Sequence, residues 1–190
     1  MDETKNGNDL NILTQNIKTQ RLIIKPITLK YKKVIFTEFT NEITTHMYPK
    51  PAKRIEETIE FIETSMRENE EGTNFQTVIL SKETREFLGC GGAHNIHTKT
   101  PELGIWIKKS AHSHGYGKEA VTALKKWADE HLDYEYLLYP VVKENHASRR
   151  IPEALGGKIE REYDEINMQG KSLHLLEYRI YPIKNKSLKS

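Results

Sequence analysis

His112-Ser113-His114-Gly115-Tyr116-Gly117 stands between two contrasting segments. Before it runs Leu103-Gly104-Ile105-Trp106-Ile107, and after it a stretch opening at Lys118. The first is short, apolar and rich in isoleucine, which reads as a buried strand. In the second, Ala120, Val121, Leu124, Trp127, Ala128 and Leu132 recur at helical spacing. A glycine-bearing loop that delivers a strand into a helix leaves backbone N–H groups free at the helix start. With the helix dipole behind them, such donors suit a phosphate or pyrophosphate. Gly115 and Gly117 lack a Cβ, so a ligand oxygen can come close to the chain there. An ordinary tight turn would carry the same glycines.

Working outward, helical and extended patterns alternate. Residues 22–27 read as a strand, with Pro26 marking an edge or a stop. Residues 29–39 and 55–69 read as helices, the second ended by Gly72. Residues 75–80 and 87–93 form two strands joined by the polar turn 81–86. Beyond the loop come a helix over 118–131, a strand over 136–142 and a short helix over 147–155 closed by Gly156-Gly157. Strands at 158–163 and 173–181 follow. Residues 1–16 are polar and are expected to be a mobile tail, as is the polar segment 184–190; one domain is expected between them, over 17–183.

Composition limits the function. A chain of 190 residues suits one domain, burying roughly 70% of its unfolded surface. The net charge of +2 is too balanced for a nucleic-acid binder. The single Cys90 allows no internal disulfide, consistent with a reducing cytoplasm. No run is apolar enough to span a membrane, and the polar start lacks a secretion signal. His94 and His97 have no cysteine or carboxylate at ligand spacing, so no metal is expected.

Pro140 lies inside the expected strand 136–142 and cannot donate to a ladder. One solution is divergence from the strand at Leu103, opening a wedge beside the loop that admits a ligand with a long arm. An outer-edge proline is the other.

Residues 143–148, Lys-Glu-Asn-His-Ala-Ser, complete the order: strand, loop, helix, strand, Asn-x-Ala-Ser, short helix, Gly-Gly. This order, with Glu102-Leu103-Gly104 and the opening Thr19-Gln20-Arg21-Leu22-Ile23-Ile24-Lys25-Pro26, resembles the GNAT superfamily of acetyl-CoA-dependent N-acetyltransferases. The likeness is strongest to the RimJ/RimL branch of ribosomal-protein N-terminal and spermidine acetyltransferases. It implies a single α/β (α+β) domain: a mixed, mostly antiparallel twisted sheet of six to seven strands, splayed centrally and flanked by helices. It also implies that His112, Ser113, His114, Gly115, Tyr116, Gly117 and Lys118 hold the CoA pyrophosphate. Trp106 and Ile107 would bond the pantetheine arm from one side and Asn145 from the other, with Ser148 near the sulfur.

The chain departs from the family pattern in two features, the loop histidines and Pro152. His112 stands where arginine or glutamine is usual, and His114 where a basic or small residue is frequent. Protonated imidazoles favour phosphate, so CoA affinity is expected to rise as these histidines take up protons. Pro152 stands where many members carry a tyrosine acid. Direct acetyl transfer needs a neutral amine and a stabilised thiolate. Glu102 is the expected base and Ser148 the expected donor to sulfur, a strand-end ion pair and a helix cap being their ordinary alternatives. Tyr139 is a weaker acid candidate. The seven glutamates between Arg54 and Glu71 would attract a cationic acceptor, a peptide N-terminus, polyamine or aminosugar, unless they are simply a solvated outer face. The expected protein is a cytoplasmic N-acetyltransferase of small-molecule or peptide amines, with a homodimer left open. A CoA-binding sensor without catalysis is the alternative.

Overall fold

Leu22, Ile23 and Ile24 are all buried, which only a strand covered on both faces allows. The computed structural model, which describes residues 11–183, places them in an eight-stranded sheet. In chain order the elements are β1 (Ile17–Lys18), β2 (Leu22–Pro26), α1 (Lys32–Glu38), α2 (Ile55–Glu70), β3 (Phe75–Ser81) and β4 (Phe87–His94). Then follow β5 (Glu102–Ile107), α3 (Tyr116–His131), β6 (Leu137–Val142), α4 (His146–Ala154), β7 (Lys158–Ile166) and β8 (Ser172–Ile180). Spatial order is β1-β2-β3-β4-β5-β6-β8-β7, and every neighbouring pair is antiparallel except β5–β6. The sheet is mixed and mostly antiparallel as expected. It has eight strands rather than six or seven, because the two-residue β1 is too short to show any periodicity.

Strand alternation sorts the core into two faces. Leu103, Ile105 and Ile107 of β5 pack with Ala120, Val121, Leu124 and Trp127 of α3, and Tyr139 of β6 and Ile151 of α4 belong to the same cluster. Trp106 faces the other way, with Ile23, Ile35 of α1, Ile62 of α2 and Cys90. Burying a side chain such as Leu124 contributes about 1.5–3 kcal/mol.

Residues 11–16 depart from the expected mobile tail. Asn11 Oδ1 accepts the Leu13 N–H at 3.0 Å and starts a 3-10 turn over Ile12–Thr14. Ile12 is 2% exposed, and Trp127 Nε1 donates to Gln15 Oε1 at 3.1 Å. The outer parts of the expected tails, 1–10 and 184–190, lie outside the described residues. The helix expected over 29–39 divides into a 3-10 turn, Leu29–Tyr31, and α1. Helix α4 runs through Pro152 to Ala154, close to the expected span of 147–155.

The feature that positions the site is the parting of β5 from β6. Their parallel ladder contains one pair, Glu102 with Leu138, backed by Leu138 N–H to Pro101 O at 2.8 Å. Lys143 N–H bonds His174 O across to β8, so alternate β6 residues face β8 and the others, including Pro140, face β5. The donor that Pro140 lacks is thus one that would have pointed into the gap. The wedge is present, and Pro140 lies on its wall.

Candidate active site

The loop after β5 is built from unusual backbone. Ser113 (φ 65°) and Gly115 (φ 77°) are both left-handed, a conformation that costs Gly115 little for want of a Cβ. Gly115 is the N-cap of α3, and the first bond of the helix runs from Glu119 N–H to Gly115 O. Among the described residues, none of the backbone N–H groups from Ser113 to Lys118 has a hydrogen-bond acceptor. Six consecutive donors, gathered at a helix N-terminus by two left-handed residues, form an anion-binding nest.

Histidine side chains shape this loop rather than fill it. His112 Nε2 donates to Ile107 O at 2.7 Å and His114 Nδ1 to His112 O at 2.6 Å, since a carbonyl only accepts. The second nitrogen of each ring is unpaired among the described residues. His114 stacks on Tyr116 with ring centroids 5.7 Å apart. Lys118 is exposed on the first turn of α3.

A brace behind the loop has no counterpart in the sequence reading. Arg21, just before β2, donates from Nη1 to His114 O at 2.9 Å and lies over the Tyr116 ring at 4.7 Å. Its Nε reaches Glu119 Oε2 at 2.7 Å, while its backbone N–H and the Thr19 hydroxyl bond Glu119 Oε1 at 2.9 and 2.6 Å. Burial alone would raise the Glu119 pKa, but these bonds hold it below the usual carboxylate range. The only signal for the brace is the Thr19–Arg21 stretch, read as a strand opening.

Along β5, Lys108 N–H bonds Leu88 O of β4, so by alternation Ile105 and Ile107 turn their N–H groups toward β6, beyond the end of that ladder. Trp106 does not join them. Its carbonyl lies so close to β4 that a Cβ on Gly89 would stand 2.1 Å from it. Its ring packs against Phe39 and Phe87. The Ile107 carbonyl is occupied by His112, which leaves its N–H facing the gap.

On the other wall, Asn145 caps α4 by accepting the Ser148 N–H at 3.2 Å. Ser148 is therefore not the cap. Its hydroxyl instead meets the Tyr139 hydroxyl at 3.0 Å. Both lie on the α3–α4 face. Glu102 is on the opposite face, aligned with His94 of β4, so Glu102 and Ser148 approach the gap from opposite sides of the sheet.

Glu102 makes neither a hydrogen bond nor an ion pair among the described residues, which removes the strand-end ion pair as its explanation. Burial, with Glu165 of β7 and Glu177 of β8 nearby, holds its carboxyl above the usual range. A raised pKa makes this carboxylate a better proton acceptor than an ordinary exposed one. The sheet face beyond it carries Val142, Leu173 and Leu175, with Tyr163 packed against them. By contrast, most α2 glutamates are solvent-exposed; Glu57 accepts the Lys53 N–H and Glu68 an Asn74 amide. Among the described residues no three metal-ligating side chains converge, and no helix is long and apolar enough to cross a membrane.

The acetyltransferase (GNAT) domain model matches residues 21–158. An uncharacterized N-acetyltransferase of Bacillus subtilis (strain 168), YoaA, is 26% identical over 138 residues, or 71% of this chain and 78% of its own. Among solved structures, the acetyl transfer enzyme from Salmonella typhimurium that modifies the N-terminal serine of ribosomal protein L7/L12 superposes with a TM-score of 0.77. It is 14% identical, over 89% of this chain and 100% of its own. A putative ribosomal-protein-serine acetyltransferase from Vibrio cholerae gives 0.73 at 21% identity, over 90% and 99%. A RimL L7/L12 acetyltransferase in complex with coenzyme A gives 0.79 at 14% identity, over 88% and 98%. At such identities these structures establish the shared fold. With the family model spanning most of the sequence, the chain belongs to the GNAT acetyltransferase family and is an acetyl-CoA-dependent acyltransferase.

Proposed function

We propose that the protein moves the acetyl group of acetyl-CoA directly onto a primary amine, held on the open sheet face beside Glu102. The observation that carries this reading is six unbonded N–H groups at residues 113–118, next to the parting of β5 and β6. The nest takes the pyrophosphate. The Ile105 and Ile107 N–H groups and the Asn145 side chain hold the arm along the gap. When bound, acetyl-CoA supplies an activated acyl carbon and a thiolate leaving group.

An alkyl amine is mostly protonated at neutral pH. Glu165 draws the ammonium to this face, Glu177 being already paired with Arg179 at 3.2 Å, and Glu102 takes its proton directly or through one water. Ser148, from the opposite face, donates a hydrogen bond to the sulfur as the C–S bond breaks. Acceptors that share the required feature are protein N-termini, polyamines and aminosugars. A serine-initiated peptide comes first, because the Salmonella enzyme of the same fold modifies an N-terminal serine. The RimJ/RimL branch is part of the same proposal.

Thiol release from acetyl-CoA is to be followed with a serine-initiated peptide, spermidine and kanamycin, and binding of CoA measured in parallel. Release with one class identifies the acceptor. Firm CoA binding with no release from any of them rejects these three acceptor classes for this chain.

A further inference from the structure

We propose that Tyr139 is a positioning residue: it donates its hydroxyl proton to Ser148 Oγ, so that the Ser148 proton is presented to the gap between β5 and β6, where thiolate forms. The inference rests on the acetyl-transfer reading and adds a residue to it.

Two hydroxyls 3.0 Å apart can share one hydrogen bond in either direction. The surroundings choose between them. Tyr139 is 3% exposed within the α3–α4 core, and its hydroxyl has no other partner among the described residues. If Ser148 donated, the tyrosine proton would be buried without an acceptor, a costly arrangement. Ser148 is only half-buried, so its own proton can meet water or a ligand. The favourable direction is therefore Tyr139 to Ser148. Asn145 fixes the first turn of α4 beneath this pair.

Burial pushes the Tyr139 phenol up to about 12, against a smaller opposing effect of the Ser148 bond. Tyr139 thus stays protonated through the neutral range and is a donor at every working pH, not a terminal acid. The neighbouring phenol Tyr178 is engaged elsewhere, donating to Glu153 at 2.7 Å and accepting from Arg149 Nε at 3.2 Å. A chain of two hydroxyls ending on a thiolate is cooperative, each bond strengthening the next.

In the step served, the C–N bond forms, the C–S bond breaks and sulfur leaves with the electron pair. A serine hydroxyl is a far weaker acid than a thiol, so Ser148 keeps its proton and stabilises the charge. The thiolate then takes the proton shed by the acetylated nitrogen, and both hydroxyls end as they began.

The test uses CoA itself and needs no acceptor. The thiol pKa of bound CoA is read from ultraviolet thiolate absorbance in wild type, Tyr139→Phe, Ser148→Ala and the double variant. CoA affinity and circular dichroism serve as controls for folding. Wild type should lower the thiol pKa relative to free CoA. Tyr139→Phe should raise the bound value by about one unit, a tenfold change in acidity, and the double variant should match Ser148→Ala. A crystal structure of the CoA complex should also show Ser148 Oγ between Tyr139 Oη and the sulfur. An unchanged thiol pKa in Tyr139→Phe, or additive effects in the double variant, overturns the proposal while leaving the CoA site intact. Failure of the wild type to bind CoA removes the acetyl-transfer reading, and this inference with it.

Discussion

Glu102 sits partly buried with two more carboxylates nearby and no cation upon it. Such a group is poorly placed for stability and well placed to accept a proton. Glu102→Gln should lower turnover about 10²-fold with little change in acetyl-CoA affinity; near-normal steady-state turnover would sink the assignment. Because the fold raises this pKa, kcat/KM should fall as pH drops through a value above the ordinary carboxylate range, and the variant should lose that limb. Ionising Glu102 costs the folded state stability, so at pH above its raised pKa the glutamine variant should melt no lower than wild type. Glu102 and Ser148 could be singled out from the sequence because each belongs to a local motif, and both lie beside the gap. Tyr139 bonding Ser148, and Arg21 bonding Glu119 across 98 residues, are products of tertiary folding that no local spacing announces.

At the level of elements, the loop 112–117 acts as a unit with α3 and with the Thr19–Arg21 segment. Gly115→Ala would force an alanine to φ 77°. It should cost about 1 kcal/mol in denaturant unfolding and weaken CoA binding by deforming the nest. Arg21→Ala removes the brace without touching Glu102 or Ser148. Its dissociation constant for CoA should rise roughly 3- to 10-fold with kcat nearly preserved, and a selective loss of kcat would contradict the brace. Because the Glu119 pKa is lowered, this brace is fully formed above the ordinary carboxylate range and is lost only in stronger acid. The loop and its helix were readable because glycine placement and apolar period agree. Pro140 was readable too, since a proline inside a strand requires a side with no ladder. The two-residue β1 offered no period. The acidic row on α2 is the solvated outer face that its apolar stripe implies, whereas the carboxylates beside Glu102 come from β7 and β8, far along the chain.

Across the whole molecule, order extends further toward the start of the chain than a polar composition suggests. One buried isoleucine among asparagines and threonines anchors residues 11–16 against α2 and β2, and Gln15 ties them to Trp127 of α3. Ile12→Ala should cost about 2–4 kcal/mol in chemical denaturation. At the opposite sheet edge, His174 of β8 is bonded by Glu162 at 2.9 Å and Asp164 at 2.8 Å of β7. These two bonds raise its pKa. The stabilisation is complete below the unfolded histidine value of about 6.5 and is lost as pH rises through the higher folded one. Melting temperature should therefore decline over that interval, and His174→Gln should flatten the decline. Between these edges lies the seam where β5 and β6 share a single pair. Mechanically the sheet is two rafts, one of five strands and one of three, which meet along β5 and β6 and are bridged on one face by α3 packed on α4. A thioester arm threaded along the seam would act as a ninth strand. Catalysis and cohesion then draw on the same amides: Ile105 and Ile107 should exchange their hydrogens readily in the free protein and slowly once CoA lashes the rafts together.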